Sequence, residues 1–241
     1  GQFAAALRGE PPAEIKVDVQ GRHGLRTFLF NTPAMPLLEG GRAVRFVVSG
    51  LDVTEQRRAA EAVRRRDAIL SAVRFVIDRI LAAEPLEATF QQIVERLGPA
   101  AGVSRAYVFE CFPAPDGAVH AAQRAEWVAE GVEPQMGKAK LQGLAWEADG
   151  YGRWMGLLSR GEAVCAHVRE LPSAERPLLE AQDIRSVAVV PVFVASRWWG
   201  GVGFDSCRAE RDWTGAVMDA LRSVADAIGV ALGRRQAERA L

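Results

Sequence analysis

Cysteine and histidine are scarce in this chain, and the ones present are badly placed for chemistry. Cys111, Cys165 and Cys207 are far apart and odd in number, which fits free thiols in a reducing cytoplasm better than a disulfide framework. His23, His120 and His167 sit in or beside separate predicted strands, with no two at metal-ligand spacing, so each reads as a surface or interface residue. No apolar run is long enough to span a bilayer, there is no signal-peptide pattern, and a cytoplasmic protein without a membrane partner is expected. Charge of one sign is also lacking: 30 basic residues cancel 30 acidic ones, so no global field draws the chain to nucleic acid. There is no glycine-rich loop ending in Gly-Lys-Ser/Thr, no histidine followed by an acidic residue, and no Gly-Gly-Asp/Glu-Glu-Phe run. A chain without catalytic residues of its own is the expectation.

With 241 residues, 49% of them hydrophobic, there is material for one large or two small cores. The stretch SVAVVPVFVASRWWGGVGFD predicts the centre of the larger one. Ser186 to Val194 is apolar at nearly every position, as a strand buried on both faces is. Ala195-Ser196-Arg197 turns the chain, and Trp198 to Asp205 returns as the second arm of a hairpin. Gly200, Gly201 and Gly203 lie inside that strand with no helix opening on them, so they are expected to admit a close neighbour and not a dinucleotide. Alternation sends Trp198 and Trp199 to opposite faces. Asp205 is expected to pair with Arg208 or Arg211 at the strand end, and Trp213 to staple the last helix.

Ahead of this, Lys16–Val19, Arg26–Thr32 and Ala43–Ser49 alternate between turns at Gln20-Gly21-Arg22 and Glu39-Gly40-Gly41, predicting a three-stranded antiparallel meander. Asp52 or Thr54 can cap the helix that follows. No glycine or proline interrupts Glu55 to Ala83, and Ala59, Ala62, Arg66, Ile69, Val73, Val76 and Ile80 step alternately by three and four, the period of a coiled-coil seam. That predicts a connector through which two copies run side by side; a helix packed only on its own domain is the other reading. Pro85 reads as a first-turn proline, and Leu86, Phe90, Ile93, Val94 and Leu97 follow at helical spacing until Gly98-Pro99 stops the helix. Strands at Arg105–Phe112 and Val119–Ala129 come next. An irregular stretch from Glu130 to Gly150, long enough to be a lid or binding segment, follows them. A short helix at Trp154–Leu158, a strand at Ala163–Val168 and a helix capped by Ser173 and running to Gln182 lead into the hairpin. A helix from Thr214 closes the chain, with Leu221, Val224, Ile228 and Ala231 again at spacings of four, three and four.

The series DVQGRHGLRTFLFNTPAMP and GGRAVRFVVSGLDVTEQRRAAEAV, closed by Asp52-Val53-Thr54, resembles the second half of a PAS sensor domain. GVSRAYVFEC, LLEAQDIRSVAVVPVFV, RWWGGVGFD and the final helix RDWTGAVMDALRSVADAIGVALGRRQAERAL, in that order, resemble a GAF domain. The resemblance implies an α+β architecture: a GAF-like antiparallel sheet with helices on one face and a small-molecule pocket on the other. Residues 1–54 would be the C-terminal part of a PAS domain, 55–84 a helical signalling linker, and 85–241 the GAF domain with its output helix. It further implies a bacterial sensory segment, homodimeric through the linker and C-terminal helices. The segment would relay a signal to an output domain beyond this chain, a histidine kinase or else a diguanylate cyclase.

Within the GAF resemblance, the candidate pocket is Trp127, Trp146, Tyr151, Arg153 and Trp154, large aromatics beside an arginine that could close over a small anionic or planar ligand. Trp127 and Trp154 could equally fill the pocket space as core. The ligand, and any cofactor, stay unknown. Cys165-Ala166-His167 is similar to the Cys-His neighbourhood of bilin-binding members, but the two residues are not adjacent and the Asp-Ile-Pro tripeptide is missing. Asn31, the only asparagine, lies outside the domain, which counts against the cyclic-nucleotide-binding type. Two other classes remain: a ligand-free dimerisation scaffold, and an enzyme of the methionine sulfoxide reductase kind, for which Cys165 has no visible resolving partner.

Overall fold

The computed structural model describes residues 15–22, 24–30, 35–39, 42–47, 49–81, 86–115, 117–213 and 215–239. His23, Asn31, the Gly40-Gly41 turn, Pro85 and Thr214 lie outside the described residues, as does the side chain of Ile80. The chain divides into two compact units, Gly1–Arg64 and Arg65–Leu241.

The first unit contains strands β1 (Ile15–Gly21), β2 (Gly24–Phe30), β3 (Met35–Glu39), β4 (Arg42–Val47) and β5 (Leu51–Asp52). The sheet order is β1-β2-β5, all antiparallel, and β3 pairs with β4 as a separate ribbon. The expected meander is therefore corrected. The predicted strand at Ala43–Ser49 pairs with Met35–Glu39, a strand that Pro36 disguises, because proline reads as a strand breaker. Asp-x-Thr does fasten the helix start. Asp52 Oδ1 accepts the Thr54 backbone N–H at 3.0 Å, and Thr54 Oγ1 accepts the Thr27 N–H at 2.9 Å. The Thr54 hydroxyl, which donates to Asp52 Oδ1 at 2.5 Å, and the Thr54 backbone N–H hold the Asp52 carboxyl below the usual carboxylate range.

Helix α1 (Thr54–Leu81) begins there, and its second half belongs to the second unit. The rest of that unit runs α2 (Leu86–Ala101), β6 (Arg105–Pro113), β7 (Val119–Val128), β8 (Leu144–Ala145), α3 (Gly152–Ser159), β9 (Val164–His167), α4 (Arg176–Glu180), β10 (Ser186–Val194), β11 (Arg197–Ser206) and α5 (Gly215–Arg239). Its six strands form one antiparallel sheet in the order β8-β7-β6-β11-β10-β9. The β10–β11 hairpin holds the centre of that order together with β6. Its turn residues Ala195 and Ser196 have φ of 47° and 65°, the two left-handed positions that match the twist of a two-residue hairpin.

Each face of the sheet carries its own core. On one, Ala106, Val108, Val190, Val202 and Phe204 pack against Ile69, Ala72 and Val76 of α1, Ile93 and Leu97 of α2, and Leu221, Val224 and Ile228 of α5. On the other, Tyr107, Val187 and Val189 lie beneath Trp146, Tyr151, Trp154, Leu158 and Leu179. Trp198 joins the second core and Trp199 the first, as alternation requires.

The seam read on α1 is partly consumed by this arrangement. Ile69, Ala72 and Val76 are buried in the chain's own core, whereas Ala59, Ala62 and Arg66 are exposed. Leu221, Val224, Ile228 and Ala231 of α5 are likewise buried against the chain's own sheet, so that stripe is not a seam left open for another copy. Nor does Gly98-Pro99 end α2. The helix continues to Ala101, where Gly102 at φ 61° turns it off, with the Gly102 N–H bonded to Pro99 O at 3.1 Å and the Val103 N–H to Gly98 O at 3.3 Å. That pair of bonds is a Schellman ending. Gly98 serves packing instead: a Cβ there would lie 2.0 Å from Cε3 of Trp127.

Candidate functional site

On the face away from α1, α2 and α5, a cavity of about 70 Å3 lies between the sheet and the layer made by α3, α4 and the segment 129–150. Three of the expected residues, Trp146, Tyr151 and Trp154, are in its wall, with Tyr107 and Phe109 forming the floor. The other two are elsewhere. Trp127 follows Glu126 in β7 and so points to the opposite face, packed over Gly98 in the helical core. Arg153 is exposed and points to Glu175, which it meets with Nε at 2.7 Å and Nη2 at 2.6 Å.

That ion pair builds the aromatic wall. Buried Glu175 also accepts the Trp154 indole N–H at 2.7 Å, and its backbone carbonyl accepts the Tyr151 hydroxyl at 2.9 Å. Arg153 is therefore a positioning residue: it neutralises the carboxylate that holds the Trp154 indole, on the residue whose backbone carbonyl holds Tyr151. Burial, with Glu175 nearby, pushes the Tyr151 hydroxyl well up, so it remains a donor. Glu175 was not legible as part of the site. Ser173 is the cap the sequence predicts for this helix, but residue 175 occupies the cap position without a side-chain cap bond, because its carboxylate turns inward.

A β-bulge shapes the polar end. β6 and β7 shift register between Val108 and Phe109, so that Ala125 faces Val108, Gln123 faces Phe109, and Arg124 is the extra residue. Without it, Gln123 and Glu126, three apart, would point to opposite faces; with it, both line the cavity. Glu126 Oε2 accepts the backbone N–H groups of Gln135 and Met136 at 2.8 and 2.7 Å. Glu126 Oε1 and Gln123 Oε1 are buried without a hydrogen-bond partner.

Asp205 closes the same end. It does not pair with Arg208 or Arg211, which bond to the Glu130 carbonyl and to the Ala101 and Gly102 carbonyls. Its Oδ1 accepts the Tyr107 hydroxyl at 2.9 Å, and its Oδ2 is 3.9 Å from Arg105. Gly203 makes this possible, since a Cβ there would lie 2.3 Å from the Tyr107 ring. Burial pushes the Asp205 carboxyl up to about 7, Tyr107 and Arg105 opposing the shift. Arg105 is itself buried and held by the carbonyls of Glu133 (3.0 Å) and Gln182 (3.1 Å). Beyond Arg105, Gln182 and Ile184, which both spaces share, lies a polar cavity of about 450 Å3 lined also by Glu133, Asp183 and Arg208.

The residues that could suggest covalent chemistry lie elsewhere. Cys165 is on the helical face, 3.4 Å from the Met218 sulfur. Cys111 lies at the cavity side, where burial pushes its thiol up to about 12. His167 stands between Ser186 Oγ (3.0 Å from Nδ1) and Asp212 (3.0 Å from Nε2), the residue types of a hydrolytic triad. Ser186, however, is fully buried, its Oγ accepts the Arg211 N–H at 2.9 Å, and it borders neither cavity. The trio instead latches the segment before α5 to β9 and β10. Among the described residues no cluster of His, Cys, Asp and Glu is arranged to hold a metal, and no helix is long and apolar enough to cross a membrane.

A six-stranded antiparallel sheet, with long helices on one face and a small cavity under short helices on the other, defines an α+β architecture. The chain belongs to the GAF domain family, whose model matches residues 85–232. The methanogenesis regulatory histidine kinase FilI of Methanothrix harundinacea is 33% identical over 232 residues, covering 96% of this chain and 26% of that protein. The chain thus spans about a quarter of that relative's length. The phycocyanobilin-bound GAF domain of a cyanobacterial phytochrome is similar in structure, with a TM-score of 0.60 at 20% identity over 70% of this chain and 96% of that one. Bacteriophytochrome RpBphP3 of R. palustris matches 97% of this chain and 48% of its own, at a TM-score of 0.57 and 16% identity. At those identities the two structures speak to the fold.

Proposed function

We propose that this chain is the sensory and regulatory region of a cytoplasmic signal-transduction protein, with a histidine kinase as the output domain and a diguanylate cyclase as the next choice. The observation that carries the reading is the placement of the cavity and of helices α1, α2 and α5 on opposite faces of one sheet, so that β10 and β11 touch both. The relation to a regulatory histidine kinase over 96% of the chain supports the choice of output. Residues 1–54 fit the closing part of a PAS domain, with Asp52 and Thr54 fastening the outgoing helix. The signal would be a change in how the helices of two copies pack, which requires the occupant of the cavity to prefer one packing over the other.

Pairing needs an apolar stripe that the chain's own core leaves free. Val63, Leu70 and Ile77 of α1 are exposed and recur every seven residues, the spacing of one seam position in a parallel pair. Sedimentation equilibrium tests this. A dimer is expected at micromolar concentration, shifting to monomer in the Leu70→Arg, Ile77→Arg double variant. A wild-type chain that stays monomeric at high micromolar concentration contradicts the relay. The second reading, a ligand-free scaffold, is favoured by the small size of the cavity, whose own aromatics Trp146, Tyr151 and Trp154 take up much of the site.

A further inference from the structure

We propose that the cavity takes a small ligand, no larger than about one ring, that presents N–H or O–H donors to Glu126 and Gln123, a cationic amidine or amine-like group in the preferred case. This rests on the reading of the cavity as a ligand site and gives that ligand its chemistry. Two acceptor atoms, Gln123 Oε1 and Glu126 Oε1, are buried in the wall with no partner. Their residues are 3% and 8% exposed, so water has little access to them. A buried acceptor left unmade is costly, and a ligand donor that reaches it recovers that cost. Gln123 could turn its amide and offer N–H instead. Glu126 has no such alternative, because a carboxylate only accepts.

The charged and hydroxyl donors nearby are already committed, and the Trp146 indole N–H is a buried donor in the wall without a partner. Arg105 spends its guanidinium on two backbone carbonyls and Asp205, and the Tyr107 hydroxyl is given to Asp205. Arg153, the one cation the sequence places beside these aromatics, is outside the wall and bound to Glu175. An anion entering here would face the carboxyl groups of Glu126 and Asp205, with the Trp146 indole N–H as the unpartnered donor in the wall to receive it. The size follows from the space: about 70 Å3 is well below the range of roughly 300–1,000 Å3 typical of sites for drug-sized ligands, and apart from Gln135 and Gln182 the rest of the wall is aromatic and aliphatic.

Acetamidinium and acetate have the same shape and opposite hydrogen-bonding character, which makes them the discriminating probes. The indole N–H resonances of the full chain are followed during titration with each, and xenon reports whether the cavity can be entered at all. Acetamidinium is expected to shift the Trp146 and Trp154 signals saturably, with acetate at least about tenfold weaker. Glu126→Gln and, separately, Gln123→Leu are each expected to weaken acetamidinium by about tenfold, with circular dichroism unchanged. Equal or tighter binding of acetate, or an acetamidinium affinity untouched in both variants, overturns the donor assignment. Xenon entering while neither ion binds also overturns it, leaving an apolar site. If xenon too is excluded, the cavity is not a ligand site and both readings fall.

Discussion

Asp205 sits where the sheet, the cavity and the Arg105 strap meet, and its protonation gives a sharp residue-scale test. Desolvation raises its carboxyl from 3.8 to about 7 in the folded chain, with Arg105 and Tyr107 of β6 and Glu126 of β7 facing it. Between those two values the folded state holds a proton that the unfolded chain has released, so stability from this group is complete below about pH 4 and is lost as pH rises through about 7. Asp205→Asn removes the titration. Urea melts of both proteins from pH 5 to pH 8 are expected to show the variant gaining on the wild type by roughly 2–3 kcal/mol across that range. A gap that stays constant with pH contradicts the assignment. The partner of Asp205 was not legible in the sequence, because Arg208 and Arg211 are near in the chain while Tyr107 is 98 positions away and is brought in only by the β6–β11 register. Trp146, Tyr151 and Trp154 could be picked out, since they cluster around the irregular segment. Glu175 could not, since nothing in the string marks a carboxylate that turns inward.

Elements pack here through glycines, and two of them should break the usual rule. Gly to Ala inside an exposed helix interior ordinarily stabilises by roughly 0.8–1 kcal/mol. At Gly98 of α2 the new Cβ would meet the Trp127 ring at 2.0 Å, and at Gly229 of α5 it would meet the backbone carbonyl of Phe193 at 2.1 Å. A ring can tilt and a strand carbonyl cannot. Gly98→Ala is expected to cost about 1–2 kcal/mol net, since overpacking costs roughly 1–3 kcal/mol. Gly229→Ala is expected to cost more, with both read by chemical denaturation; a stabilised variant at either site contradicts the close approach. In the second unit the order of the helices and of the longer strands was readable from periodicity and turns, including the β10–β11 hairpin almost to the residue, whereas the short strand Leu144–Ala145 was not. The bulge at Arg124 was not, because one inserted residue leaves β7 reading as an ordinary strand while moving Gln123 to the cavity side. Gly98-Pro99 misled for the converse reason: a glycine kept for Trp127 looks the same in sequence as a helix stop.

At the scale of the whole chain, the division falls after Arg64, inside the stretch read as a connector. The cause is local: Ile69, Ala72 and Val76 are core residues of the GAF unit, so the second half of α1 belongs to it. A three-and-four spacing does not say whether the partner is another copy or the chain's own sheet, and here the same helix buries Ile69, Ala72 and Val76 yet exposes Val63, Leu70 and Ile77. A relay across the sheet requires that filling the cavity change the helices on its far face. Leu158 of α3 lines the cavity and is fully buried, so Leu158→Phe places extra side chain into that space without touching the helical core. The direct measurement is native-state hydrogen exchange of the wild type and this variant, comparing residues 65–81 and 215–239 with the central strands. Altered protection is expected in both helical segments beyond any change in β6 and β11. Altered exchange confined to α3, α4 and the cavity wall would contradict the relay.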